Sequence, residues 1–372
     1  MNFLIVCGGT AGHINPALAI AAELRRRMPD VRVLFVGADK DLEKKLVPLA
    51  GYHLVNIRMS GLRRGYSADD IKYNINTLRN LTTAGVKAGN LIERFKPDAV
   101  IGTGGYICYP VLRRAAQMGI PTVIHGSDAV PGLTTKLLSA TVDKVLVSFP
   151  GLESQYRRPD RVVFTGTPVR KGFESPPEDA QRHSGGEKPL VVSFWGSLGA
   201  ERMNEIIAGF IKLNIEGGRF DHLHATGKRG GVEDMKYRLK RLGVEGELPP
   251  GIEVREYIDD MAPVMAAADL IVCRAGASTL AELTAMGKPA ILIPSPYVTN
   301  NHQEENAKQL QKAGGAVMIS EKDCTAEALL DTVASLIGDS DRMASMSHAQ
   351  KDFAAPNATE KIVDLVLELC AE

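Results

Sequence analysis

Apolar residues in this chain come in short, unbroken runs separated by longer amphipathic stretches. Leu4 to Cys7, Val31 to Val36, Ala99 to Gly102, Thr122 to His125 and Lys144 to Val147 read as strands. Their runs do not alternate with polar residues, so they suit a sheet covered on both faces. Between them lie helical patterns such as Ala17 to Arg27. This rhythm predicts an α/β protein of parallel strands with crossover helices. It resumes with strands near Val191, His222, Ile252, Leu270, Ala290 and Ala316, a helix over Ala326 to Ile337, and a last helix over Thr359 to Cys370. A polar, Pro- and Gly-containing stretch from Glu174 to Lys188 separates the halves. The expected domains are 1–164 and 165–346, with 347–372 returning to the first.

One pattern occurs twice. Phe3-Leu4-Ile5-Val6-Cys7-Gly8-Gly9-Thr10-Ala11-Gly12-His13 is matched, 187 residues later, by Leu190-Val191-Val192-Ser193-Phe194-Trp195-Gly196-Ser197-Leu198-Gly199-Ala200. A strand that enters a Gly turn and then a helix offers backbone N–H groups to an anion. Two copies imply two phosphate-handling lobes, and His13 occurs only in the first. Cys7 stands where a dinucleotide fingerprint needs its first glycine, so that motif is excluded. At a helix start the dipole disfavours imidazolium, and a neutral His13 ring can accept a proton. A histidine that merely caps the turn is the competing reading.

Composition narrows the field. In 372 residues, 44 Lys and Arg balance 44 Asp and Glu, so no overall field draws nucleic acid. The length suits two domains. Five scattered cysteines without a C-x-x-C argue for reduced thiols rather than a disulfide frame or zinc site. No secretion signal is seen at the N-terminus, and no apolar run approaches the ~18 residues that span a bilayer. A soluble or peripheral protein is expected.

Three further segments carry chemistry. Cys273-Arg274-Ala275-Gly276-Ala277-Ser278-Thr279-Leu280-Ala281-Glu282 follows an apolar run, and its small residues would let a diphosphate approach. Glu282 suits a ribose diol, yet Thr279-x-x-Glu282 is also a capping box. Asn300-Asn301-His302-Gln303 follows another strand and suits sugar hydroxyls, or else a polar helix start with Asn300 or Asn301 as N-cap. Asp339-Ser340-Asp341 reads as a solvated loop and not as a metal-holding D-x-D. The Ile71, Ile75, Leu78, Leu81 spacing, with Lys72 and Arg79, fits a core stripe or a membrane-facing one.

Together these segments resemble the MurG family, the glycosyltransferase family 28 enzymes that convert lipid I to lipid II. The resemblance runs through G-G-T-x-G-H at Gly8 to His13, S-G-L-R at Ser60 to Arg63 and G-G-Y at Gly104 to Tyr106. It continues through P-G-L-T at Pro131 to Thr134, G-x-P-V-R at Gly166 to Arg170, G-S-x-G-A at Gly196 to Ala200, R-A-G-A-x-T at Arg274 to Thr279 and N-H-Q at Asn301 to Gln303. It implies the GT-B architecture of two Rossmann-like lobes facing a cleft. It also implies His13 as the base and a donor set of Thr10, Gly12, Arg170, Ser197, Ala277, Ser278, Thr279, Glu282, His302 and Gln303 for UDP-N-acetylglucosamine. Gly104, Gly105, Tyr106, His125 and Asp128 would meet lipid I. The implied reaction is inverting transfer to the C4 hydroxyl of the N-acetylmuramoyl-pentapeptide, with no cofactor or metal. The protein would sit on the inner face of the bacterial plasma membrane beside other cell-wall synthesis proteins. Rival readings are a UDP-sugar epimerase or lipid glucosyltransferase on the same fold, or a nucleotide-sugar-binding regulator with weakened catalysis.

Two departures from the family pattern stand out. Where the family reads H-E-x-N this chain reads His125-Gly126-Ser127-Asp128, and Trp195 and Leu198 replace the usual glycine and glutamine of the second Gly turn.

Overall fold

The computed structural model describes residues 1–59, 61, 67–170, 172–174 and 188–371. Ser60, Leu62 and Arg63 of the S-G-L-R motif lie outside them, as do the interior of the Glu174 to Lys188 stretch and the side chains of Ile75, Leu78 and Arg79. The chain forms two compact units, Met1–Arg170 with Ala355–Glu372, and Lys171–Ala354.

In the first unit, strands β1 (Asn2–Cys7), β2 (Arg32–Gly37), β3 (His53–Asn56), β4 (Ala99–Gly104), β5 (Thr122–Gly126), β6 (Lys144–Val147) and β7 (Val162–Phe164) form one parallel sheet. Their order is β3-β2-β1-β4-β5-β6-β7. Helices α1 (Ala11–Arg27), α2 (Asp41–Leu49), α3 (Ala68–Phe95), α4 (Cys108–Gln117) and α5 (Leu133–Leu138) connect them. Phe3 to Cys7 are wholly buried, as a run without alternation requires.

The second unit repeats the plan. Strands β8 (Leu190–Phe194), β9 (Asp221–Ala225), β10 (Ile252–Arg255), β11 (Leu270–Cys273), β12 (Ala290–Leu292) and β13 (Ala316–Met318) are ordered β10-β9-β8-β11-β12-β13. Helices α6 (Glu201–Gly217), α7 (Gly231–Arg241), α8 (Met261–Ala267), α9 (Ala277–Met286), α10 (His302–Lys312), α11 (Ala326–Ile337) and α12 (Ser340–Phe353) cover it. The last helix, α13 (Ala358–Ala371), belongs to the first unit.

Three expectations are corrected. The first unit runs to Arg170 and not to 164, because Thr165 and Gly166 still donate to the Val147 carbonyl of β6 at 3.0 and 3.2 Å. The return to it begins at Ala355 and not at 347. Helix α12 stays with the second unit, burying Met346 in that core and bonding Gln350 to the Gly315 carbonyl at 2.8 Å. Helix α13 buries Ile362, Val363 and Val366 in the first core, and its exposed Asp364 pairs with Arg27 of α1. Finally, Asp339-Ser340-Asp341 is a helix start: Asp339 caps α12 by accepting the Arg342 N–H at 2.9 Å.

Candidate functional site

Strand order reverses direction at β1/β4 in the first sheet and at β8/β11 in the second. Ligands of open parallel sheets bind outside the carboxyl ends of strands at such switch points. The chemistry-bearing segments Gly8 to His13 and Gly104 to Tyr106 leave β1 and β4, while Ser197 and Ala277 to Glu282 leave β8 and β11.

In the first unit the Gly turn is tight. Gly9 has φ +91°, Thr10 takes the N-cap position, and α1 begins at Ala11, which puts His13 in its first turn. The His13 Nδ1 lies 2.9 Å from the Gly8 carbonyl oxygen. A carbonyl only accepts, so Nδ1 carries the hydrogen, and in the neutral ring Nε2 holds the lone pair. Two glycines make room for this arrangement. A Cβ on Gly104, at φ +119°, would lie 2.4 Å from His13 Cδ2 and 2.7 Å from Nε2, and one on Gly105 would lie 2.6 Å from the Gly8 oxygen. The ring therefore rests on the Gly104 backbone. Thr103 Oγ1 holds the His13 carbonyl at 2.7 Å, fixing the helix start against β4. Tyr106 covers Gly61, and its buried hydroxyl has no partner among the described residues.

Beside this turn, His125, the penultimate residue of β5, is buried and occupied. Its Nε2 meets the Gly166 oxygen at 2.9 Å, and Nδ1 faces Ser127 Oγ at 3.4 Å. Burial, then the nearby His13, hold its pKa down at about 4 against the pull of the Gly166 hydrogen bond and Asp128. Asp128 is half-buried. Burial and its charge push Tyr156 up to about 12. The Tyr156 hydroxyl lies 3.2 Å from where a Gly126 Cβ would be, which shows how closely that departure from the family pattern is packed.

In the second unit the Gly turn differs from its copy. The helix begins only at Glu201, and Gly199 takes φ +75° against the neighbouring loop, its would-be Cβ 2.1 Å from the Thr226 oxygen. The N–H groups of Lys228 and Arg229 donate to the carbonyls of Ser197 and Leu198 at 3.3 and 3.0 Å. Two exposed residues thus hold the turn through their backbone, which the motifs did not signal; the Gly227, Gly230 and Gly231 cluster after β9 is the trace they leave in sequence.

The alternative at Glu282 is resolved by the helix start. Gly276 is the N-cap of α9, with no side-chain cap, so Thr279 lies inside the first turn and Glu282 one turn further on. Glu282 is buried and cannot close a capping box at that end. The N–H groups of Ala277 to Thr279 lie in the unpaired first turn, and the Ser278 hydroxyl is buried with no partner among the described residues. Arg274, just before this turn, is engaged with three partners. It pairs with buried Glu321 at 2.6 Å, donates to the Ile293 carbonyl at 3.0 Å and lies 5.8 Å from the Trp195 ring centroid. Asn306 of α10 donates to the Ala275 carbonyl at 3.2 Å, joining the His302 segment to the α9 turn.

Asn301 takes the N-cap position of α10 at φ 53° without a side-chain cap, so the polar helix start is realised in place and not in its bonding. Gln303 spends its carbonyl on the Ser295 N–H at 2.9 Å. Thr10, Gly12 and Arg170, grouped above with the donor set, belong to the first unit.

The family models match at both ends of this plan. The glycosyltransferase family 28 N-terminal domain matches residues 3–147, and the C-terminal domain matches residues 190–362. A UDP-N-acetylglucosamine–N-acetylmuramyl-(pentapeptide) pyrophosphoryl-undecaprenol N-acetylglucosamine transferase of Acetivibrio thermocellus is 42% identical, covering 99% of this chain and 98% of its own. The enzyme of that name from Ruminiclostridium cellulolyticum is 41% identical over 99% of this chain and 100% of its own. The crystal structure of Acinetobacter baumannii MurG superposes with a TM-score of 0.75 at 27% identity, over 99% of this chain and 100% of that one. With GT-B topology in both units and relatives of this similarity along its length, the chain belongs to glycosyltransferase family 28 and, within it, to the MurG N-acetylglucosaminyltransferases.

Proposed function

We propose that this protein transfers N-acetylglucosamine from UDP-N-acetylglucosamine to the C4 hydroxyl of the N-acetylmuramoyl-pentapeptide of lipid I, giving lipid II and UDP with inversion. The observation that carries the mechanism is the His13 hydrogen bond to Gly8, which leaves Nε2 as the proton-accepting nitrogen at the end of β1. In one displacement the acceptor oxygen attacks the anomeric carbon, Nε2 takes its proton, and the C–O bond to UDP breaks. Charge accumulates on the departing diphosphate. The unpaired N–H groups of Ala277 to Thr279, Ser197 and the guanidinium of Arg170 are suited to that charge, and fixed dipoles of this kind need no reorganisation during the reaction. Glu282 would take the ribose, and His302 with Gln303 the sugar hydroxyls. Gly104, Gly105, Tyr106, His125 and Asp128 form the acceptor end of the proposal.

Among the described residues no helix is long and apolar enough to cross a membrane. Lipid I is membrane-bound, so the enzyme would work peripherally on the cytoplasmic face. Exposed Ile71, Val86 and Leu133 in the first unit supply apolar contacts for it, and other cell-wall synthesis proteins are candidate neighbours.

The test uses labelled UDP-N-acetylglucosamine with a lipid I analogue. Turnover is expected in the parent, and His13→Ala should lower it by ~10² to 10⁴ while donor binding is retained. Equal loss of donor affinity and turnover would assign His13 a structural role instead.

A further inference from the structure

Glu43 of α2 is wholly buried and lies beneath the first Gly turn. Its Oε1 accepts the Lys40 N–H at 3.1 Å, and its Oε2 accepts the Gly9 N–H at 3.0 Å. That N–H and the Gly8 carbonyl are the two ends of one peptide group. The same carbonyl accepts the Nδ1–H of His13 at 2.9 Å. Carboxylate, peptide and imidazole are therefore joined in series, from Oε2 through N–H and C=O to Nδ1–H. We propose that Glu43 is a positioning residue that acts on His13 through the Gly8–Gly9 peptide, fixing the Nδ1–H tautomer and strengthening Nε2 as a proton acceptor. The proposal deepens the transfer mechanism above and rests on it.

The physical basis is amide resonance. A carboxylate that accepts the peptide N–H draws positive charge onto nitrogen and leaves more negative charge on the carbonyl oxygen, so each bond in the chain strengthens the next. In a carboxylate–histidine pair the carboxylate contacts the ring N–H directly and holds its tautomer. Here one rigid, planar peptide stands between them and transmits the same orientation over a longer path. The surroundings are shaped for this chain. A Cβ on Gly37 would lie 2.9 Å from Oε1 and one on Gly8 3.3 Å from Oε2. Together with Gly104 and Gly105, four glycines enclose the carboxylate, the carbonyl and the ring. Among the described residues, the other titratable groups near them are Cys7 on β1, Cys108 of α4, which donates to the Gly104 carbonyl at 3.1 Å, Tyr106 after β4, and His125 on β5. Burial is the larger influence on Cys7 and Tyr106, to which the Glu43 charge adds, and His125 interacts directly with His13.

Glu43→Gln keeps an acceptor for one N–H and removes the charge. Its melting temperature and UDP-N-acetylglucosamine affinity are measured first, followed by the pH profile of kcat/KM and the His13 ring nitrogen resonances. A lost negative charge disfavours imidazolium, so the acid limb should move to lower pH by roughly half a unit to one unit, with a weaker base and slower turnover. The Nδ1–H tautomer should lose population. An unmoved acid limb with an unchanged tautomer in a folded variant would overturn the proposal. A second measurement needs no Glu43 variant. In the parent labelled with nitrogen-15 glycine, the Gly9 amide proton should follow the His13 titration, and should cease to do so in His13→Gln. A Gly9 proton indifferent to His13 would overturn the proposal even if Glu43→Gln failed to fold. These resonances are read without substrate. Failure of transfer to lipid I would therefore count against the reaction and leave the coupling intact, and the reverse also holds.

Discussion

Lowering the pH should loosen the second unit before the first, through two buried histidines of β9. His222 and His224 on β9 are fully buried, and burial holds His222 down at about 3 and His224 well below its usual value. Their hydrogen bonds run in one direction. Asn204 donates to the Thr226 carbonyl at 3.0 Å and turns its carbonyl toward His224 Nε2–H at 3.3 Å. His224 Nδ1 then accepts from Ser193 Oγ at 2.7 Å, and Ser193 accepts from His222 Nε2–H at 2.8 Å. His222 Nδ1 is left without a partner among the described residues, so a proton added there would have nothing to bond. In the unfolded chain each ring takes a proton as pH falls through about 6.5. The native network resists that proton, so the stabilisation is fully present above this value and is lost progressively below it. At pH 5 the difference is about 2 kcal/mol for each histidine, or roughly 4 kcal/mol for the pair. That is a large fraction of a typical domain's 5–15 kcal/mol. His125, held at about 4, exposes the first unit to only about half as much. Carboxylates with lowered pKa values, such as Glu23 and Glu304, act only below the ordinary carboxylate range and stay out of this window. The chain's one tryptophan, Trp195, has its ring centroid 6.3 Å from that of His224, so its fluorescence reports the right place. Urea unfolding followed at Trp195 should show a midpoint lower by roughly 2 M at pH 5.0 than at pH 7.5. Coincident midpoints at the two pH values would refute the neutral-pair argument.

Two substitutions probe the first unit. Gly104→Ala places a methyl 2.4 Å from His13 Cδ2 at a backbone angle that alanine avoids, so turnover should fall by at least ~10² with donor affinity unchanged; steady-state kinetics with normal turnover would show that the ring does not act from this position. Asp128→Asn removes a carboxylate from the proposed acceptor end and should lower the acceptor KM while leaving the donor KM unchanged; acceptor kinetics no better than the parent's would mean that its charge is already neutralised by its surroundings.

Most of the strand plan was legible because buried parallel strands are apolar on both faces. Leu190 to Phe194 and Lys144 to Val147 advertise themselves in this way. The strands that the pattern did not reveal, His53–Asn56 and Val162–Phe164, are the two edges of the first sheet, and each is only partly buried. Half-exposed edges need no unbroken apolar run, so their sequences look like connections. The local geometry was legible where one short segment holds both the turn and the histidine, as at Gly8 to His13. It was illegible where the contact joins distant segments. Nothing near Glu43 marks it as the support of Gly9, 34 residues earlier, and nothing near Lys228 links it to Ser197.

The doubled turn shows how one local pattern leads to two different local structures. In the first copy, Gly12 and His13 are already helical, so the helix begins early and brings a ring over Gly104. In the second copy, Gly199 leaves the helical region to meet the loop after β9, which delays the helix to Glu201 and keeps Ser197 exposed beside Lys228 and Arg229. The difference follows from what each turn packs against. Glu43 accepts the Gly9 N–H and the Gly8 carbonyl accepts the His13 ring N–H, so both ends of that peptide are spent on holding the ring. The second turn instead offers its carbonyls to the backbone N–H groups of Lys228 and Arg229. Sequence similarity between the turns thus reflects a shared strand-to-helix geometry, while the partners supplied within each unit determine where the helix begins and what the turn holds.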